Sequence, residues 1–127
     1  MLFNVLATFI SALSVIVAAV TFIINFRRTK KVETLQAIDE IFESYYQLSK
    51  KDVNSHYFEY VKYMSKVERF AAAVNAGIYD EKLVHNRTSI MFRKQYNDFM
   101  KDIIQQRRKQ FNREDYYSEI VKMIQVN

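Results

Sequence analysis

Residues 2–26 read LFNVLATFISALSVIVAAVTFIINF, a run without a single charged side chain. As an α-helix, a run of this length reaches roughly 37 Å, against a bilayer hydrocarbon core of about 30 Å. A secretory signal peptide is the main alternative, but it has a basic start, a shorter apolar region and a small-residue cleavage site. No Lys or Arg precedes this run. The sequence therefore predicts a retained transmembrane helix.

A basic cluster follows the apolar run and is made of Arg27, Arg28, Lys30 and Lys31. Basic flanks of transmembrane helices stay in the cytoplasm. The sequence therefore predicts a single-pass protein of the cell inner (plasma) membrane, with its N-terminus outside. Residues 1–31 would form the anchor and its stop signal, and residues 32–127 a cytoplasmic helical domain. The cluster could also contact anionic lipid head groups.

Small and polar residues recur within the apolar run at alternating spacings of three and four. This seam consists of Asn4, Ala7, Ser11, Ser14, Ala18, Thr21 and Asn25. A heptad spacing implies left-handed helix packing. Small residues let transmembrane helices approach closely, and hydroxyl and amide groups can bond across the contact. We expect the seam to contact another copy of the chain or a partner helix; the alternative is that small residues simply face lipid.

The composition favours helices throughout. The chain has no Pro and one Gly, whereas tight turns of compact β-folds usually need these residues. We therefore predict an all-α fold, with a transmembrane helix followed by a small antiparallel helical bundle. The absence of Cys excludes disulfides and thiolate sites. Two His and one Gly offer neither a zinc ligand set nor a phosphate-binding loop, so we expect no enzyme, no metal and no cofactor.

Apolar residues at helical spacing predict further helices beyond the basic cluster. The predicted ranges are 32–46, 53–76, 81–85, 89–108 and 113–125. The first of them would continue the anchor or bend near Thr29. Asp52 and Asp80 are placed to cap helix N-termini, and Gly77 suits a left-handed C-terminal cap. Asn112 followed by Asp115 resembles a capping pair at the start of the last helix.

Three stretches resemble those of a known family. They are RRTKK at 27–31, VERFA at 67–71 with NAGIYDE at 75–81, and RR at 107–108 with YYSEI at 116–120. In these stretches, and over most of its length, the chain is similar to small bacterial and prophage-borne membrane-anchored proteins that share a domain of unknown function. The resemblance implies no activity. It does imply a setting in phage or mobile-element conflict.

Charged residues in the predicted bundle are candidates for a partner surface: Glu68, Arg69, Arg107, Arg108 and Lys109. Glu68 and Arg69 interrupt an apolar helix, where we expect first a structural role, as an exposed pair or a buried network, and second a partner-binding role. Arg107 to Lys109 come late in a helix, where basic side chains also favour the negative end of the dipole. Beyond Lys31, basic and acidic residues nearly balance, so nucleic acid is an unlikely partner.

The sequence thus predicts a membrane-anchored, non-enzymatic interaction protein. Its transmembrane helix would self-associate or bind a partner helix, its basic cluster would lie at membrane lipid, and its bundle would dock an unknown cytoplasmic protein. One alternative is an oligomeric pore-forming or membrane-perturbing effector, in which the seam lines a narrow wet path. Its lack of ionisable residues gives no sign of a charged filter. A second alternative is a membrane-tethered nucleic-acid binder.

Overall fold

The computed structural model describes residues 1–126 of the chain, and no strand occurs among them. The helices are α1 (Leu2–Ser49), α2 (Tyr57–Asn75), α3 (Glu81–Gln95), a π-helical turn (Tyr96–Met100), α4 (Lys101–Phe111) and α5 (Ser118–Val126). A long apolar N-terminal helix is therefore followed by a helical bundle. The predicted all-α fold is confirmed.

The apolar run and the amphipathic stretch after it form one continuous helix of 48 residues. Of the two predicted alternatives, the structure thus shows a helix that continues from the anchor through Thr29. The buried residues of α1 all lie beyond the basic cluster: Thr34, Ile38, Ile41 and Leu48. They recur every three or four positions or at a multiple of that spacing, so they line one side of the helix. The bundle is thus built on this C-terminal part of α1 together with α2 to α5.

The helix α2 runs antiparallel to α1. Near the start of α2, the Tyr60 hydroxyl donates to the carbonyls of Leu48 and Lys51, at 3.3 and 2.8 Å. One turn and a half further on, the Lys66 ammonium donates to the Ser44 hydroxyl at 3.3 Å. As α2 advances, its contacts on α1 therefore move back toward the anchor.

The helix α3 runs in the same direction as α1. Just before α3 begins, the Asp80 amide donates to Thr34 Oγ1 at 2.9 Å. Just after it ends, the ring centroids of Phe99 and Tyr45 are 6.4 Å apart. Both helices therefore run side by side away from the basic cluster. The helix α2 connects the end of α1 to the start of α3 and runs in the opposite direction.

Two local predictions are confirmed at the turn between α2 and α3. Gly77 has a φ of 78°, in the left-handed region that a side chain would strain. Asp80 caps α3, because its carboxylate accepts the Leu83 amide at 3.2 Å. Asp52 accepts the Ser55 amide at 3.2 Å, but it caps a separate turn and not α2, which begins at Tyr57, four residues later than predicted.

Three boundary predictions were wrong. The predicted helices 81–85 and 89–108 are one helical stretch, since α3 runs without a break from Glu81 to Gln95 and leads through the π-helical turn into α4. Asn112 is the C-terminal cap of α4 with a φ of 50°, not an N-terminal cap. Asn is a preferred N-cap, but it is also one of the few residues besides Gly that adopt the left-handed conformation. The last helix consequently begins at Ser118.

Aromatic side chains fill the core where α1, α2 and the π-helical turn meet. The Tyr60 and Phe99 rings are in edge contact, with centroids 4.9 Å apart. Beside them the Tyr63 hydroxyl donates to Gln95 Oε1 at 2.7 Å, and Gln95 is fully buried. Burial raises the pKa of Tyr63, so its hydroxyl stays a donor. A buried hydrogen bond of this kind fixes one packing arrangement.

Candidate functional site: the apolar segment and the surfaces of the bundle

The apolar segment, residues 2–26, is exposed at every position in the structure. By length and composition α1 can cross a membrane: its most apolar window has a mean hydropathy of 2.5, and none of that window is buried against the rest of the chain. A continuous apolar surface of this extent far exceeds the patches of a few hundred Å² that soluble monomers expose. It is the largest uncovered feature of the described residues.

The seam lies on the opposite side of α1 from the bundle. At 3.6 residues per turn, Ser14 and Ile41 are about seven and a half turns apart, and Ala18 and Ile38 about five and a half. Ile38 and Ile41 are buried in the bundle core, whereas Ser14 and Ala18 are exposed. A second helix could therefore pack along the seam without meeting the bundle.

Hydroxyl groups on the apolar segment bond within their own helix. Ser14 Oγ donates to the Ile10 carbonyl at 2.9 Å, and Thr8 Oγ1 donates to the Asn4 carbonyl at 2.8 Å. Because each hydroxyl proton is already used within its own helix, these two hydroxyls are left to accept hydrogen bonds from a neighbouring helix. The other seam residues, Ala7, Ser11, Ala18, Thr21 and Asn25, are exposed. Close approach at small side chains is thus the main contribution that the seam offers.

The basic cluster lies between the apolar segment and the bundle. Arg27, Arg28 and Lys31 are exposed, and Lys30 is half-buried. The carbonyl of Lys30 accepts the Thr34 hydroxyl at 2.7 Å, and Thr34 is where the bundle first contacts α1. The basic side chains therefore follow the last apolar residue and precede the first core residue within about two turns of helix.

Glu68 holds α5 against α2. Its two carboxylate oxygens accept the backbone amides of Ile120, at 2.8 Å, and Glu119, at 3.4 Å. These amides lie in the first turn of α5, where they have no partner within the helix. Asn75 supports the same junction, because its Nδ2 donates to the Glu119 carbonyl at 3.0 Å. Burial raises the pKa of Glu68. Its neighbour Arg69 is exposed.

The basic residues at the end of α4 contact the loop that leads to α5. The guanidinium carbon of Arg107 lies 4.7 Å from the Phe111 ring centroid, a cation–π distance. Arg108 Nε donates to the Tyr116 carbonyl at 2.8 Å. Lys109 is exposed. Of the predicted partner surface, Arg69 and Lys109 thus remain free for a partner, while Glu68, Arg107 and Arg108 make contacts within the fold.

Two features of this region have no signal in the sequence. Tyr117 is buried with a φ of 61°, although bulky side chains rarely adopt positive φ. The π-helical turn at Tyr96–Met100 inserts an extra residue into an otherwise regular helix. The π-helical turn places Phe99 against Tyr45 and Tyr60, and the positive φ of Tyr117 directly precedes the first residue of α5. The described residues contain no group of three or more His, Cys, Asp or Glu arranged to hold a metal ion.

The comparisons with known proteins identify the chain only at the level of its family. No curated protein and no solved structure matches it. A family model for a domain of unknown function, DUF4760, matches residues 8–125. That range includes most of the apolar segment, the basic cluster and the bundle, so the family is defined over the anchor-like helix and the bundle together. The chain belongs to the DUF4760 family, a domain of unknown function.

Proposed function

We propose that this chain is a membrane-anchored, non-enzymatic interaction protein, whose apolar segment spans a bilayer and whose bundle presents a docking surface. The observation that carries the proposal is the complete exposure of that segment. Apolar area left in water costs about 25 cal/mol per Å². The core helix of a soluble protein avoids this cost by being buried in its own fold. This segment is not buried, and a bilayer would cover it on all sides.

The basic cluster supports a cytoplasmic position for the bundle. Arg27, Arg28, Lys30 and Lys31 follow the apolar segment directly, and basic residues beside a transmembrane helix are retained in the cytoplasm. We therefore propose a single pass through the inner (plasma) membrane, with the bundle inside the cell. A cleaved signal peptide is a poorer account, because α1 continues unbroken from the apolar segment into residues that form the core of the bundle.

The seam supports association within the membrane. It offers small side chains along one side of α1, and that side faces away from the bundle. Helices in lipid associate by close packing at such residues rather than by the hydrophobic effect. The partner would be a second copy of the chain or another transmembrane helix. The family resemblance adds a proposed setting in phage or mobile-element conflict, which the neighbouring genes would test.

Membrane extraction tests the proposal most simply. The full chain should stay with membranes through alkaline carbonate washing, at the mass of the uncleaved sequence. Replacing Ile16 and Val17 with Arg should release it, because each Arg at the centre of a bilayer costs about 2.5–3.5 kcal/mol. The matched control is Ile90→Arg, which adds charge at an exposed residue of α3 and should leave the chain in the membrane. Recovery of the wild-type chain in the aqueous fraction, or a shortened mass, contradicts the proposal.

A further inference from the structure

An arginine-lined cleft opens at the surface of the bundle, between α2 and the loop that joins α4 to α5. It has a volume of about 610 Å³. Three arginines line it: Arg69 from α2, Arg107 from α4 and Arg113 from the loop. Two acidic side chains, Glu68 and Asp115, line it as well. The fold thus gathers, in one cleft, arginines that are far apart in the sequence.

The acidic side chains of the cleft have partners of their own. Both carboxylate oxygens of Glu68 accept backbone amides of α5, so this side chain serves the junction of α5 with α2. Asp115 pairs with Arg113 at 3.1 Å, and both of these side chains are exposed. Among residues 1–126, neither Arg69 nor Arg107 makes an ion pair. Two of the three guanidinium groups therefore have no anionic partner within the described fold.

Arg107 is held in position while its charge stays unpaired. Its guanidinium carbon lies 4.7 Å from the ring centroid of Phe111 and 5.9 Å from that of Tyr116. Its Nε is buried and donates to no group in the part of the chain that the structure describes. A half-buried guanidinium without an anion leaves part of its desolvation cost uncompensated. An anion bound in the cleft would offset that cost.

The unpaired charges of the cleft match those of a phosphate ester. Arg69 and Arg107 each carry one positive charge, and a phosphorylated side chain carries about −1.5 to −2 at pH 7. Arginine suits this group in particular, because its planar fork of N–H donors can bind two phosphate oxygens at once. A carboxylate carries one charge and would leave the second arginine unpaired. The cleft therefore fits a phosphomonoester better than a carboxylate.

Lipid head groups lie too far from the cleft to supply this phosphate. Lys66 of α2 contacts Ser44, and α2 runs antiparallel to α1, so Arg69 is level with about Ile41. Ile41 comes 15 residues after Phe26, the last apolar residue of the anchor, or roughly 22 Å along the helix axis. The head-group layer extends only about 5–8 Å beyond the hydrocarbon core. A phosphate in the cleft would therefore belong to a molecule other than a membrane lipid.

The cleft offers no free aromatic face for a nucleotide base. The ring of Tyr116 lies between the guanidinium groups of Arg107, at 5.9 Å, and Arg113, at 5.3 Å. The Phe111 ring stacks on Tyr116 with centroids 5.5 Å apart, and Tyr117 is buried. Stacking on an exposed aromatic ring is a common way in which proteins hold bases. A phosphorylated side chain needs no such ring, and an open cleft at the surface admits it.

We propose that this cleft binds a phosphorylated side chain of a cytoplasmic partner protein. Clusters of arginines are a recurring means of recognising phosphorylated motifs. The guanidinium groups of Arg69 and Arg107 bind the phosphate oxygens, and Asp115 competes with the phosphate for Arg113. The inference deepens the proposed function and rests on it, because it states what the docking surface of the bundle recognises inside the cell.

Peptide binding to the full chain, in micelles of an uncharged maltoside detergent, tests the inference. The probes are Ala–Gly peptides of equal length that carry one phosphoserine, one phosphotyrosine or one Glu. AMP and glycerol 3-phosphate present the same phosphate group on a small molecule. Titration calorimetry should give a phosphopeptide affinity at least about tenfold above that of the Glu peptide. This preference should shrink below about pH 6, where the phosphate loses its second charge.

Variants of the cleft make the test specific. Arg69→Gln removes one charge, and Arg107→Lys keeps the charge but removes the planar fork, so each should weaken phosphopeptide binding by about tenfold. Asp115→Asn should strengthen binding, because it releases Arg113 for the phosphate. The matched control is Arg87→Gln, which removes an exposed charge from α3, outside the cleft, and should leave the affinity unchanged. Arg69 is exposed, so its variant keeps the test valid even where Arg107→Lys disturbs the ring contacts.

Several outcomes would overturn the inference. Equal affinities for the phosphopeptides and the Glu peptide, or equal losses in Arg69→Gln and Arg87→Gln, would contradict a phosphate site in the cleft. Tighter binding of AMP or glycerol 3-phosphate than of both phosphopeptides would contradict a protein ligand. These results leave the proposed anchor intact, because binding is measured in detergent. Release of the wild-type chain from membranes by carbonate would instead overturn the proposed function.

Discussion

The two halves of α1 are one helix with opposite relations to the rest of the chain. The first half, residues 2–26, is exposed at every position although it is almost wholly apolar. The second half buries Thr34, Ile38, Ile41 and Leu48 and exposes polar residues on its other side. A helix with one apolar stripe covers it with neighbouring helices, whereas a helix apolar all round needs lipid or complete burial. Continuity of the backbone thus does not imply a common environment.

The largest expected difference between the two halves comes from replacing one Ile with Ala in each. Ile41→Ala should lower the free energy of unfolding of the bundle by about 2–5 kcal/mol, because it leaves a cavity in a packed core. The matched Ile16→Ala variant should change it by less than about 0.5 kcal/mol, since Ile16 contacts nothing in the bundle. Urea unfolding of the full chain in detergent, followed by circular dichroism, measures both. Equal effects would contradict the division of α1.

Glu68 offers a second way to sharpen the comparison, because its contacts lie wholly within the bundle. Glu68→Gln should destabilise the bundle by about 1–3 kcal/mol at neutral pH. The carboxylate accepts two backbone N–H groups of α5, whereas the Gln side chain has one acceptor oxygen and would leave one N–H without a partner. The exposed neighbour serves as control: Arg69→Gln should stay within about 0.5 kcal/mol. The same unfolding measurement compares the two variants.

The pH dependence of that difference has a definite sign. Burial raises the pKa of Glu68 in the folded chain above its usual value of about 4.3. The folded state therefore binds the proton more tightly than the unfolded state. The corresponding stabilisation is full below about pH 4.3 and is lost as the pH rises through the raised pKa. The wild-type chain should lose stability relative to Glu68→Gln over this range, and parallel pH profiles would contradict the assignment.

The smallest expected effect concerns the seam. Leu at Ser11, Ser14 and Thr21 should weaken association of full-length chains in vesicles, because bulky side chains keep the helices from approaching closely along the seam. The control replaces Phe9, Ile16 and Ile23 with Leu on the opposite side of the same segment. Energy transfer between labelled copies measures association, and bundle stability should not change in either variant. Equal transfer in both triple variants would contradict a role for the seam.

The sequence allowed the main division of the chain to be predicted, since it depends on local composition. The uncharged run at 2–26 and the basic cluster need no tertiary information to interpret. The capping roles of Gly77 and Asp80 could also be predicted, because each residue type has one strong local preference. Asn112 was not, since Asn is suited to both ends of a helix and only the docking of α5 selects between them. The same docking gives Glu68 its role as a cap 51 residues away along the chain.

Single-cysteine labelling along α1 tests most directly whether its two halves occupy different environments. Val17→Cys and Gln36→Cys are both exposed in the protein itself, so only a bilayer would distinguish them. In vesicles with the bundle outward, Gln36→Cys should react with a membrane-impermeant maleimide, and Val17→Cys should react only after the vesicles are dissolved in denaturing detergent. Equal labelling of the two variants in intact vesicles would contradict a membrane position for the apolar segment.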